Sequence, residues 1–168
     1  MRVVFLDMDG VLNSADYFAD NPLCEEPQAG GDDYWGYMVD PVPVQHLNAI
    51  LAATDAKVVS STSWRYYVEP DQMQRVLDSR GFTGEVIGRT PTNSELPEGL
   101  RRTGLRGTEV EVWLTENKHL EIERFVILDD MGPGAFAHMT PYLVQTSWAN
   151  GLQERHIKAA IDMLQTAQ

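Results

Sequence analysis

One cysteine, no long apolar run and a shortage of positive charge bound this 168-residue chain before any motif is considered. Cys24 stands alone, so an internal disulfide is excluded and a reducing compartment, the cytoplasm, is expected. It falls in a polar loop with no base nearby in sequence, which argues against a nucleophilic role. The apolar runs are too short to span a bilayer, so no membrane partner is expected. Met1-Arg2 leads straight into an apolar segment, and no signal peptide is expected. Lys and Arg number 13 against 25 Asp and Glu, for a net charge of −12. That balance disfavours a broad nucleic-acid footprint, which needs clustered cations. It leaves room for a small anionic substrate, because a metal and a few local cations can reverse the field at one site. There is no internal repeat or low-complexity tract. His46, His119, His138 and His156 are scattered without metal-ligand spacing, and all four read as surface or packing residues.

What is present is a set of apolar segments that each run into acids or hydroxyls. Val3-Val4-Phe5-Leu6 leads into Asp7-Met8-Asp9-Gly10, the pattern of a strand buried on both faces and ending in a sharp turn. Two carboxylates at the tip of a buried strand repel one another. They make sense beside a cation or in chemistry; the plain alternative is a strand ending in a solvated turn. Lys57-Val58-Val59 runs into Ser60-Ser61-Thr62-Ser63, and Phe125-Val126-Ile127-Leu128 runs into Asp129-Asp130. Shorter strands are expected at Glu85–Gly88 and Tyr142–Thr146. Helical spacing of apolar residues predicts helices over Pro41–Thr54, Pro70–Ser79, Thr108–Asn117 and Gln153–Leu164.

Strands alternating with helices predict a single α/β domain, a three-layer Rossmann-like parallel sheet. The segment Asn13–Asp40 has no convincing periodicity. It carries Asp16, Asp20, Glu25, Glu26, Asp32, Asp33 and Asp40, no Lys or Arg, and five aromatic residues. A stretch of this kind after the first strand reads as a small lid, with Gly30-Gly31 as a turn between two arms. Most of its aromatics are expected to pack onto the domain. Arg89–Gly107 reads as irregular and locally basic, and Met131–Thr140 as a Gly-rich loop or short helix.

In a parallel sheet all strand carboxyl ends share one edge, where ligands bind. That edge should collect Asp7, Asp9, Ser61, Thr62, Asp129 and Asp130. Arg106, just before a helix that leads into the strand ending at Asp129, belongs on the same edge. Arg2, Lys57 and Lys118 belong on the opposite one. Arg65 either reaches the site or pairs with an acid of the lid.

The order Asp-x-Asp-Gly-Val, strand-end hydroxyl, cation before a helix and strand-end Asp-Asp resembles the haloacid dehalogenase (HAD) superfamily over residues 1–146. More narrowly, Phe-Leu-Asp-x-Asp-Gly-Val-Leu-Asn, Ser-Thr-Ser-Trp-Arg and the late Asn-Gly-Leu resemble the small branch found in "Swiss Army Knife" RNA repair proteins. The resemblance implies the HAD fold and a phosphohydrolase with an aspartyl-phosphate intermediate. Asp7 would be the nucleophile and Asp9 the acid and base. Mg²⁺ would be held by the Asp7 carboxylate, the Asp9 main-chain carbonyl and Asp129, with Asp130 binding directly or through water. Ser61 would hydrogen-bond a phosphoryl oxygen, and Ser60, Thr62 and Ser63 remain alternatives. Arg106 stands where the family more often has Lys, and would offset charge on the transferring group. Thr62, Arg65 and Gly10 are the expected substrate-side neighbours. Three readings follow: a small-molecule phosphomonoesterase acting on substrates such as nucleotides, a nucleic-acid end-processing phosphatase, and a binding or regulatory module without turnover. The first is favoured, because the acidic lid and net charge oppose long nucleic acid and every side chain the chemistry needs is present.

Overall fold

The computed structural model describes residues 1–22, 31–101 and 105–165. Cys24, Glu25, Glu26, Gly30 and Arg102, and with them the expected turn between the lid arms, lie outside the described residues. Strands β1 (Arg2–Leu6), β2 (Lys57–Ser60), β3 (Val86–Arg89), β4 (Arg124–Asp129) and β5 (Leu143–Gln145) form one sheet in the order β3-β2-β1-β4-β5. Every pairing is parallel, as expected for strands joined through helices. Leu6 lies in register with Ser60 on one side and with Leu128 on the other. β1 is therefore central, and its apolar run is buried throughout because both faces are covered.

Side chains alternate between the two layers. Val4 and Leu6, with Val58, Val126 and Leu128, pack beneath α3 (Pro41–Thr54), α4 (Pro70–Asp78) and α6 (Glu154–Gln165). Val3 and Phe5, with Val59 and Ile127, pack against Val110 and Trp113 of α5 (Arg106–Glu116) and against Phe136 and Met139. Phe5 meets Trp113 and Phe125 edge-on, at 5.3 and 5.7 Å between ring centres. These are the three layers of a HAD-like Rossmann arrangement. From β1 the chain winds outward to β2 and β3, then crosses back to β4. The carboxyl ends of β1 and β4 thus flank the point where strand order reverses, the usual ligand crevice of such sheets.

Local boundaries follow from end chemistry. α3 begins at Pro41 because the Asp40 carboxylate accepts from Val42 N–H and Pro suits the first turn. α5 starts at Arg106, two residues earlier than its periodicity predicts. Gly107 reads in sequence as the tail of an irregular stretch, yet it sits in the first helical turn, where a Cβ would strike the Phe136 carbonyl. In its described residues, the segment after β1 carries two short helices that its sequence does not predict. It contains α1 (Ala15–Asp20), capped by the Ser14 hydroxyl, and α2 (Asp32–Tyr37). Each has six residues, too few to display a period. Tyr17 Oη donates to the Tyr37 carbonyl at 2.7 Å and ties the two arms together. Arg75 and Arg80 of the α4 region hold them from outside, through Asp32 and the Val39 carbonyl. The stretch Pro133–Ala135 and Ala137–Tyr142 forms 3₁₀ turns. Among the described residues, no helix is long and apolar enough to cross a membrane.

Candidate active site

β1 delivers Asp7 directly beyond its last paired residue. The Asp7 N–H donates to the Leu128 carbonyl (2.9 Å), which continues the ladder one step and fixes the backbone. Its carboxylate is buried and accepts from Met8 N–H at 2.7 Å. The chain then reverses at Gly10, whose φ is +73°, a conformation open to glycine. A Cβ there would strike the Asp130 carboxylate, so Gly10 makes room for an acid from β4. The Thr146 hydroxyl at the end of β5 pins this turn by donating to the Gly10 carbonyl at 2.6 Å.

β4 brings Asp129 and Asp130 alongside. One Asp129 oxygen accepts from Met131 N–H (2.8 Å); the other is buried without a hydrogen-bond partner. Asp7, Asp129 and Asp130 each offer a carboxylate oxygen within 4.8 Å of the others. Burial pushes the Asp7 carboxyl above its usual range, and the Arg106 charge, the Met8 N–H and the Thr62 hydroxyl pull it back only in part. Burial first, then the Asp7 charge, lift Asp129 to about 7. Burial raises Asp130 as well. Hard oxygen donors, like charges forced together and an orphaned buried oxygen together suit a hard divalent cation. This chain's residues fit such a group.

Arg106 comes from the first turn of α5. Its guanidinium donates to the Ser61 carbonyl and reaches the Asp7 carboxylate at 3.5 Å. Burial works against its charge, but the carboxylates of Asp7, Asp129, Glu109 and Asp130 prevail and hold its pKa above the usual value. The end of β2 lies beside Asp7, with Ser61 N–H donating to the Leu6 carbonyl at 2.7 Å. The Ser61 and Ser60 hydroxyls are both buried and unpartnered. Ser60 belongs to the ladder opposite Leu6. Thr62 is occupied, since its hydroxyl accepts from Trp64 N–H and serves Asp7. Ser63 is exposed.

Arg65 is placed differently from both expectations. Its side chain is 3% exposed and pairs with Glu109 of α5 at 2.6 Å, while it also donates to the Thr62 carbonyl. The partner is a helix acid, not a lid acid. Burial disfavours both charges of this pair, lowering the arginine and raising the glutamate. The partner Glu109 lies one helical turn along α5 from Arg106. Two contacts to Asp9 carry no signal in sequence spacing. Trp64 Nε1 donates to one carboxylate oxygen at 3.0 Å and Asn13 Nδ2 to the other at 2.9 Å. The Asp9 side chain therefore stands apart from the three-acid cluster, and the part expected of it there is its main-chain carbonyl. The basic stretch before α5 is also less available than its sequence suggests. Arg89 is held by Glu95 and Glu69, and Arg101 turns back to the Leu96 carbonyl.

A family model described as the HAD domain in Swiss Army Knife RNA repair proteins matches residues 3–157. No curated protein and no solved structure matches the chain.

Proposed function

Because this chain belongs to the family of HAD domains in Swiss Army Knife RNA repair proteins, we propose that it is a Mg²⁺-dependent phosphomonoesterase working through an aspartyl-phosphate on Asp7. The observation that carries this reading is the meeting of Asp7, Asp129 and Asp130 at the switch point of the sheet, with Arg106 against Asp7.

Asp7 attacks phosphorus with one carboxylate oxygen, and the bond to the leaving oxygen breaks as Asp9 supplies its proton. Water then cleaves the acyl phosphate while Asp9 takes a proton back, which returns Asp7 as a carboxylate and releases inorganic phosphate. Ser61, with its unpartnered hydroxyl, donates to a phosphoryl oxygen, and Arg106 offsets the charge that spreads over the group in flight. Thr62 orients Asp7. Gly10 admits Asp130. Arg65 acts at one remove, by pairing Glu109 beside Arg106. Mg²⁺, held by the Asp7 and Asp129 carboxylates and the Asp9 carbonyl, with Asp130 direct or through water, would neutralise phosphate charge and align it with Asp7.

The favoured substrates are small phosphomonoesters, nucleoside monophosphates first, in a cytoplasmic setting. Among the described residues, few cations around the rim are free to follow a polyphosphate backbone: Arg89 and Arg101 are engaged, and Arg106 serves Asp7. The family's description supports a second reading, a phosphatase for nucleic-acid ends, and the exposed Tyr66 and Tyr67 beside the site are consistent with stacking on a base. The two readings separate on kcat/KM for AMP against a phosphorylated oligonucleotide at fixed salt with Mg²⁺. The mononucleotide is expected to lead. An advantage of more than about tenfold for the oligonucleotide, roughly 1.4 kcal/mol in the transition state, replaces the first reading with the second. Absence of turnover on a broad phosphate-ester panel would support a binding or regulatory module.

A further inference from the structure

Trp64 belongs to the buried apolar core, yet its indole N–H also reaches the candidate site. The residue is 3% exposed and held from several sides. The 3₁₀ turn Ser63–Tyr66 fixes its backbone, with the Trp64 carbonyl accepting from Tyr67 and Val68 N–H at 2.8 and 2.9 Å. Trp35 of α2 packs against the indole at 4.7 Å between ring centres. A buried indole N–H needs an acceptor, and the acceptor here is the half-buried Asp9 carboxylate. Asn13 takes the other Asp9 oxygen and is itself braced, since its Oδ1 accepts from Gly10 N–H at 3.1 Å.

We propose that Trp64, assisted by Asn13, is the positioning residue of Asp9: it keeps this carboxyl out of the three-acid cluster and aimed at the leaving group. The inference rests on the phosphatase reading above. Two neutral donors occupy two of the four lone-pair sites of the Asp9 carboxyl and leave one on each oxygen free for proton traffic. A cation in the same place would pair with Asp9 as a counter-ion, whereas an indole N–H orients it without adding charge. Trp64 and Asn13 approach opposite oxygens, so together they fix both the position and the rotation of the group. Trp35 adds a mechanical link, because the arm after β1 presses on the ring that holds Asp9.

The test is the leaving-group dependence of Trp64→Phe, which keeps an aromatic ring at the position, smaller than the indole, and removes the N–H donor. A nucleoside monophosphate expels an alkoxide that must be protonated as it leaves, whereas p-nitrophenyl phosphate expels a stable phenolate that needs little help. The parameter kcat/KM reports the steps up to that departure, so later hydrolysis of the acyl phosphate does not mask the effect. Small misplacements of a reacting group cost up to about a hundredfold, so a loss of about tenfold or more is expected with AMP and less than about threefold with p-nitrophenyl phosphate. An equal loss on both substrates, or none on either, overturns the role of Trp64. If Trp64→Phe lacks a cooperative thermal melt, Asn13→Ala removes the other donor and decides by the same comparison. Wild-type protein that turns over neither substrate, nor a phosphorylated oligonucleotide, with Mg²⁺ defeats the phosphatase reading itself. Wild-type turnover with a uniform mutant response defeats only the inference about Trp64.

Discussion

The two edges of the sheet treat charge in opposite ways. At the amino edge, the Met1 ammonium meets Glu123 at 3.3 Å and Lys57 meets Glu85 at 2.9 Å. The hydrogen bond and charge of Glu85 raise the Lys57 pKa, so the fold there favours the charged form. At the carboxyl edge, burial raises Asp7, Asp129 and Asp130, so the fold there disfavours the charged form. The ion pairs at the amino edge are partnered and partly solvated. The carboxyl edge stores acids, an orphaned carboxylate oxygen and free hydroxyls that folding alone does not require. Partnered charges mark structure, and buried charges short of partners mark a site that expects something to bind.

The contrast breaks most sharply at Asp7. Asp7→Asn keeps the shape and still accepts the Met8 N–H, but it replaces the attacking carboxylate with an amide. Activity is expected to fall by about a thousandfold or more, as when other covalent catalysts lose their nucleophile. The thermal midpoint without metal should hold or rise, because a buried group that resists ionisation has been neutralised. Retention of a tenth of wild-type kcat under Mg²⁺ would remove Asp7 from the nucleophile role.

A smaller effect concerns the metal. Asp129 has an unfolded value near 3.8 and a folded value raised to about 7. Between those values the folded chain holds a proton that the unfolded chain has released. Its contribution to stability is therefore fully present below the lower value and is lost as pH rises through the higher one. A cation must displace that proton. Magnesium should thus stabilise the protein little at about pH 5.5 and fully at about pH 8, approaching about 2.7 kcal/mol at a hundredfold excess over its dissociation constant. Asp129→Asn should flatten this pH dependence and raise stability without metal. Thermal melts with EDTA and with Mg²⁺ at both pH values check it; identical shifts at the two values would contradict the assignment.

Much of this architecture was legible because burial writes itself into composition. Val3–Leu6 and Phe125–Leu128 are apolar without alternation, which only a doubly covered strand allows. Parallel order then placed Asp7, Ser61, Arg106 and Asp129 on one rim from topology alone. The family resemblance read from those motifs agrees with the match over residues 3–157. What the sequence does not encode is side-chain direction. Asn13 reaches Asp9 from its own turn and Trp64 from beyond the far end of β2, and no periodicity encodes that meeting. Arg65 reads in sequence as available to the site because it follows the hydroxyl run, while Glu109, one helical turn beyond Arg106, draws it inward. The two six-residue helices after β1 were missed for a simpler reason: less than two turns shows no stripe.

The mildest perturbation tests the amino edge. Glu85→Gln removes the carboxylate that pairs with Lys57 and keeps its size. Glu85 is exposed and Lys57 about a third exposed, so water screens the pair. Exposed ion pairs contribute about 0.2–1 kcal/mol, and the lower part of that range is expected here. The loss should shrink further at high salt, since ions screen what remains of the attraction. Val58 N–H bonds the Glu85 main-chain carbonyl, which the substitution leaves in place, so β2 and β3 should stay in register. With the sheet intact, kcat/KM should match wild type. A fall of more than about threefold, near 0.65 kcal/mol in the barrier, would mean that charge at the amino edge is felt at Asp7 through the length of the sheet. The two edges would then have to be treated as one electrostatic unit.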